Sequence, residues 1–182
     1  HRASLAEMAV PYGDTDVNLS WRSAFDSGEY GVGRLAAPLE KNQDGPSNAV
    51  YFDAVFSDDF GKPYTAKNVV GLYERDGGMI WKHFDIYSQK NETRRARELV
   101  LFFVAAIGNY DYSMSWIFHQ DGTLQLSNEL TGIMLPKGVR FESAEEMGHA
   151  AHAGHLVAPN VAAPHHQHFF NFRLDFDVDG VK

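Results

Sequence analysis

The chain has no cysteine, which excludes disulfides, thiolate metal sites and cysteine nucleophiles. Long apolar runs are also missing. The longest, Leu99–Ile107, falls far short of the roughly 20 residues that a membrane-spanning helix needs. Positive charge is scarce: 16 Lys and Arg stand against 24 Asp and Glu, a net charge of −8, which argues against nucleic acid as a partner. No long segment has clean helical periodicity, and only Ala144–His152 predicts a turn or two of helix. Repeats, interdomain linkers and a signal-peptide pattern are lacking as well. The 182 residues suffice for one domain that buries roughly 70% of its unfolded surface. Residues 1–182 therefore read as a single partial domain with no internal boundary. Both ends, His1-Arg2-Ala3-Ser4 and Asp179-Gly180, look like interior sequence, so a longer parent protein is expected.

What the chain does have is alternation. Met114, Trp116 and Phe118 alternate with Ser115, Ile117 and His119; Asp121-Gly122 signals a two-residue turn; Leu124, Leu126 and Leu130 resume the pattern. This predicts a hairpin. Asp76-Gly77-Gly78 signals a second turn, between Val69–Tyr73 and Met79–Phe84. Asp59-Phe60-Gly61-Lys62-Pro63 signals a third, after a strand over Val50–Phe56. The continuous run Leu99–Ile107 predicts a strand buried on both faces. Strands at short spacing with Gly and Asp turns give the fold class: mainly β, an antiparallel β-sandwich.

Several side chains carry chemistry. Residues i and i+2 of a strand share a side. His166 and His168 therefore project together, with Gln167 turned away, at the head of a stripe formed by Phe170, Phe172, Leu174, Phe176 and Val178. Two imidazoles so placed are half of a copper or zinc site. Hydrogen bonds to neighbours would satisfy them equally. Asp175 and Asp177 form either a solvated face or oxygen ligands for a hard cation such as calcium. His149, His152 and His155 lie among small residues that read as a flexible loop, and no Glu follows His149 to make a zinc-protease motif. His165 has the wrong parity to join its neighbours, and His83 is expected to pack or hydrogen-bond. Asp26 and Glu29, in Phe25-Asp26-Ser27-Gly28-Glu29-Tyr30, are either a general base or solvated turn carboxylates. Tyr110, in Gly108-Asn109-Tyr110-Asp111, is a phenol that a nearby copper could activate towards oxygen. Asn18-Leu19-Ser20 and Asn91-Glu92-Thr93 match the glycosylation triplet.

Together these segments resemble the catalytic domain of the copper-dependent, quinone-containing primary amine oxidases. Leu5–Asp14 resembles the start of that domain's shared part, and Phe25–Tyr30 its catalytic-base segment. Asn109-Tyr110-Asp111 resembles its cofactor motif, and His166-Gln167-His168 its paired copper ligands. The resemblance covers essentially the whole chain and places it in the N-terminal half of that domain. It implies that Tyr110 is the precursor of topaquinone, a quinone made in place from tyrosine, copper and oxygen. It implies Asp26 as the base that takes the substrate α-proton and Tyr12 as the partner of a quinone oxygen. Asn109 and Asp111 would flank the cofactor, and Asp175 and Asp177 would match a peripheral calcium site. A primary amine and O2 would be the substrates, and a homodimer the assembly.

The third histidine ligand of that family lies downstream of the paired ones, so the remainder of the catalytic domain is an expected partner. Ala106 replaces the family's usual Thr, the stretch from Tyr110 to His166 is longer, and a common disulfide has no counterpart. Without the resemblance, the residues alone also allow a non-catalytic β-sandwich with a His-x-His metal site.

Overall fold

The computed structural model describes residues 2–14, 23–25, 31–177 and 180, with the backbone alone for 23–25 and 152. The described strands are β1 (Arg2–Pro11), β2 (Ser23–Phe25), β3 (Val50–Ser57), β4 (Pro63–Asp85), β5 (Lys90–Ile107), β6 (Tyr110–His119), β7 (Leu124–Gly132), β8 (Lys137–Gly138), β9 (Gly154–Ala158), β10 (Val161–Pro164) and β11 (Phe169–Asp175). The chain is mainly β and its sheets are antiparallel, as the alternation predicts. Contacts group the chain into two compact units, His1–Leu35 with Ile133–Lys182, and Ala36–Gly132.

In the unit Ala36–Gly132, β3 to β7 form a five-stranded meander in sequence order. The loop after β3 lies where the Asp/Gly/Pro cluster predicts it. There Asp58 Oδ1 accepts the backbone N–H groups of Phe60 at 2.9 Å and Lys62 at 2.8 Å. The expected turn at Asp76-Gly77-Gly78 is not a turn. β4 runs straight through it, and the register against β5 shifts from Asp76↔Arg97 to Met79↔Arg95. Glycine pairs serve β-bulges as well as turns, and here the pair is a bulge. The chain reverses later, at Ile86–Gln89, where Asp85 Oδ1 accepts the N–H of Tyr87 at 2.9 Å and of Ser88 at 3.3 Å. That Asx-type capping makes Asp85 the turn former.

The β6–β7 hairpin forms as predicted, with a wider loop. His119 N–H donates to Thr123 O at 3.0 Å and Gly122 N–H to His119 O at 3.1 Å. This closes a three-residue loop, Gln120–Gly122, in place of the two-residue turn. β5 is central, yet only partly buried on both faces. Val100, Phe102 and Ala105 are buried, whereas Leu99 and Ala106 are exposed.

In the other unit, β11-β1-β2 and β8-β10-β9 make two three-stranded sheets. β11 starts at Phe169, later than the run from His166 predicts. Its stripe is half-buried at Phe170 and Phe172 and exposed at Leu174 and Phe176. Among the described residues helix is confined, as expected, to Ala144–Met147 and the 3-10 turn Gly148–His152, besides a short 3-10 turn at Val32–Leu35. Ser143 Oγ accepts the Glu146 N–H at 3.4 Å while Glu146 Oε2 accepts the Glu142 N–H at 2.8 Å, so both ends of the first turn are tied.

Met114, on β6, is 0% exposed. Truncating it removes its transfer energy and leaves a cavity. Met114→Ala in the full-length protein should cost about 2–5 kcal/mol. Differential scanning calorimetry reads this as a lower transition temperature, and an unchanged transition would remove Met114 from the core.

Candidate active site

Tyr110 opens β6 directly after a two-residue turn, Gly108-Asn109, with Ile107 and Tyr110 paired across it. Gly108 has φ +62° and Asn109 is not among the positive-φ residues. Glycine first and a normal residue second is the primed turn that matches strand twist. β7 pairs with the other side of Tyr110, through Gly132. The Tyr110 ring is half-buried, 6.2 Å from the ring of Tyr112 and tilted 55° to it. Tyr112, two residues on and on the same face, is 1% exposed and anchors that face. Asp111 is half-buried on the alternate face, and Asn109 is exposed in the turn.

A second group forms where β1 and β11 lose regular strand geometry but keep pairing. Gln167 N–H donates to Pro11 O at 3.2 Å, Gly13 N–H donates to His165 O at 3.1 Å, and Tyr12 bridges to His166. This register stacks the Tyr12 ring on His166, with centroids 4.8 Å apart and planes at 24°. The His168 ring stands 4.9 Å from His166, at 70°. His166 and His168 are half-buried while His165 and Gln167 are exposed, so the i, i+2 parity holds although no strand is formed there.

The donor set fits a soft or borderline divalent metal. His166 Nδ1 lies 3.0 Å from Pro164 O. A carbonyl only accepts, so Nδ1 carries the proton and Nε2 keeps a lone pair for a metal. Burial, with a smaller electrostatic contribution from the neighbouring His166, pushes the His168 imidazole below its ordinary pKa and favours the neutral, ligating form. Among the described residues no three His, Asp or Glu side chains converge on one metal position, so His166 and His168 stand as a pair.

The remaining candidates are dispersed. Asp175 ends β11 opposite Arg2, and both Asp175 and Asp177 are exposed. His155 is exposed on β9, and His83 is exposed with its ring 6.2 Å from Trp81. Asp26, Glu29 and the Asn18 triplet lie outside the described residues.

The sequence reading missed Asp14. It is 4% exposed and forms an ion pair with Lys137, beside a cavity of about 580 Å³ that Arg140, Phe141, Met147 and His149 also line. No local pattern announces this pair, because its partners lie far apart in sequence. It lies two residues after Tyr12 and so ties down the segment that carries Tyr12. Lys137→Met would leave a carboxylate buried without its cation, at a cost of about 3–5 kcal/mol. The double variant Asp14→Asn/Lys137→Met should recover most of that loss in thermal unfolding. A single variant as stable as the parent would contradict this.

Comparison with known proteins matches residues 1–182 to the family described as copper amine oxidase, enzyme domain. Histamine oxidase of Arthrobacter globiformis is 43% identical over 180 residues, covering 99% of this chain and 25% of that protein. A primary amine oxidase of Klebsiella aerogenes is 40% identical over 182 residues, covering 99% of this chain and 24% of that protein. Among solved structures, a copper-containing benzylamine oxidase from Hansenula polymorpha superposes with a TM-score of 0.84 at 32% identity, over 99% of this chain and 28% of that one. The chain thus spans about a quarter of the length of these curated relatives. With the mainly β, antiparallel fold agreeing with the family match, the chain belongs to the copper amine oxidase family, within its enzyme domain.

Proposed function

We propose that the protein containing this chain oxidatively deaminates primary amines. A primary amine, O2 and water give an aldehyde, ammonia and hydrogen peroxide. What supports this reading is the pairing of His168 with His166, itself stacked on the Tyr12 ring and with its Nδ1 engaged by Pro164, in a chain matched end to end by the enzyme-domain family. His166 through Nε2, and His168, would hold copper together with a histidine from the remainder of the domain. Tyr110 would be the residue converted to topaquinone. When bound, copper and the quinone supply an electrophile for the amine nitrogen and a route for two electrons to oxygen.

The chain's own residues do the rest. Asp26 takes the α-proton of the bound amine, a task suited to a carboxylate whose pKa burial has raised towards neutral. The Tyr12 hydroxyl would hydrogen-bond a quinone oxygen, and Asn109 and Asp111 would restrain the ring from the turn and from the next strand position. Asp175 and Asp177 would contribute oxygens to a peripheral calcium. The assembly would be a homodimer.

The ribbon of β4 and β5 supports that last point. β3 pairs with β4 no further than Leu72, and β6 pairs with β5 no closer to the hairpin tip than Glu98. Beyond those positions the two strands pair with no third strand among the described residues. Cross-strand pairs such as Arg95–Asp76 and Arg97–Glu74 tie them together. Such exposed pairs are worth about 0–1 kcal/mol each, and a lone two-stranded ribbon is marginal in water. Ile80 and Ile86 are each 65% exposed and Tyr87 is 93% exposed on this ribbon. Apolar exposure of this kind marks a protein interface.

Two measurements test the proposal. Peptide mass spectrometry across residue 110 of the copper-loaded, aerated full-length protein should find Tyr110 converted. Tyr110→Phe should lose turnover while binding the same amount of copper. An unmodified Tyr110 under those conditions would leave only a metal-binding β domain. For the assembly, Ile86→Asp with Tyr87→Asp should shift the full-length protein towards monomer in sedimentation equilibrium. An unaltered mass distribution would place the interface elsewhere.

A further inference from the structure

Gly132 ends β7 opposite Tyr110, in the terminal pair of the β6–β7 ladder. Its φ is +95°, in the region that favours glycine. A Cβ built there would lie 2.6 Å from Asn109 O, 2.7 Å from Asp111 N and 2.9 Å from Tyr110 Cα. All three are backbone atoms of the turn and strand that carry Tyr110. No flexible side chain can yield, so a methyl group at 132 must move that backbone. We infer that Gly132 is a positioning residue for the conversion of Tyr110: by having no side chain it lets β7 close on the Tyr110 backbone and fixes where the ring stands. This rests on Tyr110 being the quinone precursor.

The opposite end of the same ribbon supplies the contrast. Gly122 has φ +89°, and nothing lies within 4 Å of a Cβ built on it. The two glycines share a strained conformation, but only Gly132 makes the close backbone approach. Substitution at 122 therefore reports conformational strain alone, and substitution at 132 reports strain together with displacement of Tyr110. A reacting group misplaced by about 1 Å can slow a step on the order of 10²-fold.

The test uses the full-length protein made without copper, then given copper and air. Three quantities are followed: copper bound per subunit, circular dichroism, and the converted fraction of Tyr110 against time by peptide mass. Gly122→Ala should lower the melting temperature and convert Tyr110 at the parent rate. Gly132→Ala should bind copper to the parent level and convert Tyr110 at least tenfold more slowly in the folded, copper-loaded fraction. A purely structural role would reduce the folded yield and leave the rate within that fraction unchanged. Gly132→Asn gives a second reading. Asparagine tolerates positive φ better than alanine and still carries the Cβ, so it should fold more readily and be slowed as well. Equal conversion rates in Gly132→Ala and Gly122→Ala overturn the inference. So does failure of both 132 variants to fold while Gly122→Ala folds, because Gly132 would then serve folding only. If the parent protein never converts Tyr110, the proposed function itself fails, and that outcome is distinct from both.

Discussion

Backbone pairing between residues 11–13 and residues 165–167 joins segments from near the two ends of the chain. Closing a loop of that length carries an entropic cost on the order of 4 kcal/mol from its length alone. The ladder of β1 with β11 offsets it, with seven paired positions from Arg2↔Asp175 to Ala9↔Phe169 and one register shift between Leu5 and Glu7. The Tyr12–His166 bridge is then a continuation of pairing already formed, with little extra order to impose. Remove the ladder, and the stacked Tyr12 ring, the His166 tautomer set by Pro164 and the His168 neighbour lose their common frame. The buried Asp14–Lys137 pair acts on the same segment from its far side. A side-chain cluster built from distant sequence thus depends on strand register.

Local periodicity made part of this legible. The β6–β7 hairpin follows from alternation and an Asp-Gly signal, because a half-buried strand must repeat every second residue. His166 and His168 share a side for the same reason, even though regular strand begins only at Phe169. The Asp76-Gly77-Gly78 segment shows where such reading fails. A glycine pair permits a turn or a bulge, and the choice was made further along the chain by Asp85, whose carboxylate caps the real turn. The burial of Leu99–Ile107 was overestimated because a run of apolar residues does not say how far each face is covered.

The remainder was illegible for a different reason. The Asp14–Lys137 pair and the Tyr12–His166 stack are contacts between segments far apart in sequence, and neither segment carries a mark of the other. Tyr12 entered the sequence reading only through the family resemblance, and Asp14 did not enter as a site residue at all. Resemblance supplies such residues because it carries the outcome of folding, which periodicity does not contain.

The setting of Tyr110 follows a further logic. On the proposed function Tyr110 is rebuilt in place, and tight contacts to its ring would oppose the added atoms. It has to be held by its backbone. Tyr110 has that support on both sides: a two-residue turn and Ile107 on β5, and Gly132 on β7. Its ring is only half-buried, while the neighbouring Tyr112, which needs no alteration, is packed to 1% exposure. Adjacent tyrosines on one face are thus treated in opposite ways. One is packed into the core through its side chain; the other is paired on both sides through its main chain, with its ring half-buried.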